Sequence, residues 1–96
     1  MSSESILIIG AGIAGLSAGC YAQMNGFKTE IFELHFLPGG LCTSWRRGPY
    51  TFDGGVRVLT SVNPDTPGSA LWKELGVLDG LTMHFYEEFS RYEGTD

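Results

Sequence analysis

Ile6-Leu7-Ile8-Ile9-Gly10-Ala11-Gly12-Ile13-Ala14-Gly15 is the stretch on which the fold of this chain turns. Its first four residues are apolar and mostly β-branched, with no alternation between apolar and polar side chains. Such a run fits a strand buried on both faces, as in a parallel sheet covered by helices. Gly10-x-Gly12-x-x-Gly15 then ends the strand and opens a helix, predicted over about Ile13 to Asn25 and stopped by Gly26. In this context each glycine has a use. The first permits a tight turn, the second lets backbone approach a pyrophosphate, and the third lets the helix pack on the sheet. The N–H groups that open the helix face the same phosphates.

Working outward, Phe27 to Leu34 reads as a second strand with Glu33 at its end, about 20 residues past the glycines. Strand, glycine turn, helix and strand make a βαβ unit, whose crossover is expected to be right-handed. An acid at that point accepts hydrogen bonds from ribose hydroxyls. A glycine-rich turn with an unrelated surface glutamate is the plainer alternative, and the register of all three features argues against it. The acid favours an unphosphorylated ribose, which suits FAD and NAD alike. Within the helix, Gly15 and Gly19 lie one turn apart on one face. Mid-helix glycine costs up to about 1 kcal/mol against alanine, so two on one face predict a close approach to the sheet. Leu16, Cys20 and Met24 form a neighbouring apolar stripe.

Beyond Glu33 an ordinary NAD-binding domain would go on to another helix and strand. Here the chain gives Glu33-Leu34-His35-Phe36-Leu37-Pro38-Gly39-Gly40, a second glycine pair soon after the acid, whose bare backbone could press on another part of the same cofactor. Pro38 opens a long loop, Tyr50 to Gly55 reads as a short strand into a glycine turn, and a short helix is predicted over Pro67 to Leu75, closed by Gly76. Residues 82–89 alternate well enough for a further strand. Residues 1–5 are a polar lead-in.

The run from Glu33 through Pro38-Gly39-Gly40-Leu41-Cys42-Thr43-Ser44-Trp45, followed by Gly48-x-Tyr50-x-Phe52-Asp53-Gly54-Gly55, resembles the N-terminal region of phytoene dehydrogenase-like proteins. That group includes carotenoid desaturases and isomerases and retinol saturase relatives, within the wider amine oxidase-type flavoproteins. The resemblance covers about Ile6 to Leu78 and is strongest over residues 33–55. It implies FAD as cofactor, with Gly10, Ala11, Gly12, Ile13, Ala14 and Gly15 near the pyrophosphate. It places Glu33 at the adenosine ribose, counts Leu34 among the cofactor-binding residues, and puts Gly39, Gly40, Leu41 and Cys42 on the flavin side. Many relatives carry Arg directly after the glycine pair; Leu41 stands there in this chain and adds no charge near the phosphates. The implied chemistry is hydride removal or redox-assisted isomerisation of an extended hydrophobic, carotenoid- or retinoid-like substrate, often at a membrane surface.

Length and composition set bounds on this. Ninety-six residues suffice for one small domain and not for a two-domain redox enzyme. The expected class is therefore α/β: a Rossmann-like FAD/NAD(P)-binding unit with a parallel sheet, residues 1–96 forming an incomplete domain without a substrate domain and inactive alone. A stand-alone NAD-binding module and a non-functional fragment are the alternatives. Hydrophobic residues at 43% and charged ones at 18% mark a globular chain. The net charge of −5 argues against nucleic acid, and the lone basic pair Arg46-Arg47 reads as a solvated loop. Cys20 and Cys42 have no C-x-x-C spacing and are expected as free thiols in a cytoplasmic setting. The apolar stretch Ile6 to Ala18 follows Glu4, not a basic residue, and holds three glycines, so it reads as neither a signal peptide nor a membrane span.

No catalytic set emerges. Cys42 lacks a base partner, Asp53 before two glycines reads as a turn former, and His35 and His84 are single. Trp45, Tyr50 and Phe52 could line an apolar pocket, with core packing the expectation for at least two of them.

Overall fold

The computed structural model describes residues 4–56 and 58–95, so part of the polar lead-in lies outside the described residues. The chain divides into two compact units, residues 1–59 and 60–96.

In the first unit, β1 (Ser5–Ile9) leads through the glycine turn into α1 (Ile13–Met24), and β2 (Lys28–Phe32) returns parallel to β1. Ile6 stands opposite Thr29, Ile8 opposite Ile31, and Ile9 opposite Phe32. The second strand is shorter than expected at both ends, so Glu33 follows the ladder instead of closing it. Helix α1 covers one face of the pair. Ile6, Ile8, Thr29 and Ile31 are half-buried there, and a Cβ built on Gly19 would lie 3.1 Å from Ile31 Cδ1. A Cβ on Gly15 would run into the Gly10 carbonyl oxygen. The predicted close approach is thus real, and it belongs to the two glycines. The stripe beside them, Leu16, Cys20 and Met24, is exposed, Leu16 at 37% and Met24 at 58%.

The end of α1 follows from Gly26. At φ +86° it lets its own N–H bond to Gln23 O and the next N–H, of Phe27, reach Ala22 O, which satisfies two terminal carbonyls. On the far face of the sheet, Leu7, Ile9 and Phe32 are exposed. The strand expected to be buried on both faces is therefore covered on one only.

After β2 the chain makes a short 3-10 turn (Gly40–Cys42) and an antiparallel hairpin of β3 (Ser44–Arg47) and β4 (Tyr50–Asp53). Only β4 was predicted. Arg46 and Arg47, expected in a loop, are strand residues because the β4 backbone offers them a pairing edge. Trp45 stacks on Phe52 across the hairpin with ring centroids 6.1 Å apart, yet Trp45, Tyr50 and Phe52 all remain exposed. The core role expected for at least two of them is not met, since all three side chains are exposed.

In the second unit, α2 (Ser69–Glu74) is shorter than the expected Pro67 to Leu75 and is closed by Gly76 at φ +68°. Asn63 organises the turn before it: Oδ1 accepts from Asp65 N–H and the carbonyl from Thr66 N–H. Trp72 Nε1 donates to Thr60 O at 3.2 Å, and Val62 and Ser69 are buried. Residues 82–89 form no strand. Their alternation has no neighbouring strand to pair with among the described residues, and an unpaired strand has no ladder to hold it.

Candidate functional site

The site is built where the C-terminal ends of β1 and β2 meet the start of α1. The parallel ladder is extended by Gly10 N–H, which donates to Phe32 O at 2.7 Å, and the chain then turns into the helix. Gly12 is the N-cap of α1 in an extended conformation with no side-chain cap, and no acid stands in the first turn. The opening N–H groups of the helix are therefore left to another acceptor, and the partial positive charge of the helix end gathers at the same place. The bare Cα of Gly12 keeps this approach open. A Cβ there would meet a single neighbour within 4 Å, Gly40 Cα at 3.9 Å.

Glu33 reaches back to this turn. Its Oε2 accepts from Ala11 N–H at 2.6 Å and its Oε1 from His35 N–H at 3.0 Å. These two bonds, His35 foremost and Ala11 next, hold the carboxyl below the ordinary glutamate value of 4.5. The carboxylate is charged at neutral pH and has acceptor sites left for hydroxyl donors.

The second glycine pair lies against the first. Gly39 N–H donates to Ala11 O at 2.7 Å, and a Cβ on Gly40, whose φ is +58°, would sit 3.0 Å from Gly12 Cα. On the Gly40 side only bare backbone fits that contact, whereas a Cβ on Gly12 would make ordinary contact with Gly40. Gly10, Ala11, Gly12, Ile13, Ala14, Gly15, Glu33, Gly39 and Gly40 are in this way brought to one place. Leu34 and Leu41 point outward, both strongly exposed. Cys42 is an exposed free thiol, and it lines an open concavity of about 220 Å3 with Thr43, Ser44, Asp53, Gly54, Gly55 and Val56. Sequence reasoning did not place Thr43 in the site. Its hydroxyl donates to Gly40 O at 3.0 Å, and its carbonyl accepts Gly54 N–H at 2.7 Å, tying the second glycine loop to the end of β4. A Thr three residues after a glycine was the available signal.

A parallel β1-α1-β2 unit with an uncapped helix start, a glycine turn and an acid tied to that turn defines a Rossmann-like dinucleotide-binding domain. The chain belongs to the NAD(P)-binding Rossmann-like domain family, whose pattern it matches over residues 8–75. It is 33% identical over 82 residues to a lycopene-forming phytoene desaturase from Paracoccus sp., which is 85% of this chain and 15% of that protein. It is 36% identical over 53 residues to a chloroplastic prolycopene isomerase of Daucus carota, 55% of this chain and 9% of that protein. It is 32% identical over 72 residues to a Drosophila melanogaster protein named "Possible lysine-specific histone demethylase 1", 75% of this chain and 8% of that protein. The chain thus spans less than a sixth of the length of these relatives. The resemblance to phytoene dehydrogenase-like proteins is met by named relatives, and the nucleotide-binding domain is one shared with carotenoid desaturases. No solved structure matches the chain. Among the described residues no helix is long and apolar enough to cross a membrane.

Proposed function

We propose that this chain is the FAD-binding segment of a flavin-dependent oxidoreductase acting on an extended hydrophobic, carotenoid- or retinoid-like substrate, and that it is inactive by itself. The observation that carries the reading is the coupling of two glycine segments at the helix start: Gly39 N–H on Ala11 O, and Gly40 backbone against Gly12. A nucleotide half alone needs the first segment. A second bare-backbone segment beside it suits a cofactor that continues past the pyrophosphate, and FAD does so with its ribityl and flavin parts.

In this reading the N–H groups opening α1 bind the pyrophosphate, and Glu33 accepts from the adenosine ribose. The loop Gly39 to Cys42 carries the cofactor toward the concavity beside Thr43 and Asp53. Bound flavin would supply the redox chemistry as acceptor of a hydride. The chain's own part is to hold the phosphates on backbone donors and to keep a charged acceptor at the ribose. Leu41 adds no charge, so the backbone provides most of the phosphate binding. In this reading these residues supply the cofactor site and not the substrate site.

The test is retention of flavin. The chain is mixed with excess FAD, desalted, and the visible absorption of the protein peak recorded. A flavin band that is retained by the wild type and lost in Gly12→Val supports the reading, because a branched side chain there fills the phosphate approach. A folded, colourless peak that instead enhances NADH fluorescence would turn the assignment to NAD, the cofactor in the family's description.

A further inference from the structure

We infer that Glu33 is a positioning residue for the phosphate turn, holding Ala11 in place from within the chain, in addition to receiving ribose hydroxyls. This rests on the dinucleotide reading above and adds a role for the acid that does not depend on any hydroxyl of the ligand.

Ala11 is 4% exposed, one of the most buried residues described. Its N–H falls between two regular systems: the ladder ends with Gly10 N–H on Phe32 O, and the first bond within the helix is Leu16 N–H on Gly12 O. A buried N–H with no acceptor costs on the order of 1–3 kcal/mol. The acceptor it has is Glu33 Oε2 at 2.6 Å. The Ala11 carbonyl is taken by Gly39 N–H at 2.7 Å. Both polar atoms of this residue, at the bend between strand and helix, are therefore bonded by residues 33–39.

The other carboxylate oxygen is engaged as well, by His35 N–H at 3.0 Å. That second bond fixes the side chain so that Oε2 faces the turn. Backbone N–H groups of the chain do not use every one of the roughly four acceptor sites on a carboxylate, so sites remain for ribose hydroxyls. The roles are compatible, but removing the acid removes both. A neutral amide cannot replace it. Gln at this position would accept from one N–H and present its own N–H2 to the other.

The experiment has one arm free of nucleotide and one with it. In the 15N-labelled chain, the Ala11 and His35 amide protons should shift together as pH falls, with a shared midpoint below the usual glutamate range. Glu33→Gln should abolish that shared titration and speed exchange of the Ala11 amide roughly tenfold. In calorimetry, Glu33→Gln should weaken the dideoxyribose analogue of ADP roughly tenfold, and ADP by more, because ADP also loses the acceptor of its ribose hydroxyls. An Ala11 amide that does not move through the acid titration of the wild type overturns the inference, with no variant needed. So does equal binding of the dideoxyribose analogue by wild type and variant, since the acid would then act only through ribose hydroxyls. Failure of the wild type to bind either nucleotide would sink the functional reading alone, because the titration still decides the positioning role.

Discussion

Ala11 shows how much of this site depends on single backbone atoms. Its N–H and C=O are bonded by Glu33 and Gly39, residues 22 and 28 positions downstream by their numbers. The acid was legible in the sequence because a carboxylate about 20 residues past the glycines has a defined job at a ribose. Its bond to Ala11 was not, because periodicity and spacing carry no information on which donor a side chain turns toward. The bond has a consequence for pH. The carboxyl of Glu33 lies below its ordinary value in the folded chain, so the unfolded chain binds the proton more readily. Its contribution to stability is complete above the ordinary value of 4.5 and is lost as pH falls through the lower, folded value. The thermal midpoint of the wild type should therefore drop over that acid window more than that of Glu33→Gln. Parallel curves for the two proteins would show that the acid makes no such contribution.

A second residue can be tested without reference to the site. Gly26 holds φ +86° and nothing lies within 4 Å of where its Cβ would be, so any effect of Gly26→Ala is conformational. Placing an L-residue in the left-handed region costs about 1–2 kcal/mol. Urea denaturation should show that loss with no change in dinucleotide affinity, since the α1 terminus is at the opposite end of the helix from the glycine turn.

At the scale of elements, α1 is the best-determined piece, and the reason is local. Its start, its glycine face and its glycine stop all lie in residues 10–26. Gly19 allows two magnitudes to be weighed against each other. Alanine gains up to about 1 kcal/mol of helix propensity there. Against that, its Cβ would press on Ile31 Cδ1 at 3.1 Å, the far end of a flexible side chain. Gly19→Ala should therefore leave stability within about 1 kcal/mol of wild type. Gly19→Val adds branches toward Ile8 and Ile31 and should cost about 1–3 kcal/mol through overpacking. Denaturation midpoints of the pair check this, and a more stable valine variant would mean that the helix stands further from the sheet.

The elements misread share the opposite property. Strand β3 was missed because Arg46 and Arg47 look like solvent-facing loop residues until β4 is placed opposite them. Residues 82–89 were over-read for the converse reason: alternation is present, but no strand lies beside them among the described residues. Strand formation depends on the partner, and the partner is the part that a single segment does not reveal.

Across the whole molecule, apolar surface is plentiful and burial is sparse. Ala11 and Val62 are the only hydrophobic residues buried among those described, while Leu7 is 64% and Ile9 84% exposed. These two, with Phe32, form a row on the face of the β1-β2 sheet opposite α1. An apolar sheet face, on a sheet of two strands among the described residues, is a site for association. The net charge of −5 opposes it only weakly at physiological salt, where screening acts within about 8 Å. The chain should therefore self-associate as its concentration rises and enhance the fluorescence of a hydrophobic dye. Leu7→Thr with Ile9→Thr should reduce both, because threonine is β-branched, which suits a strand, and replaces apolar surface by a hydroxyl. Far-UV circular dichroism of the double variant should match the wild type, since neither side chain meets α1. Sedimentation velocity across a concentration series decides the matter. A wild type that stays monomeric throughout would mean that this face does not drive association, whatever its composition.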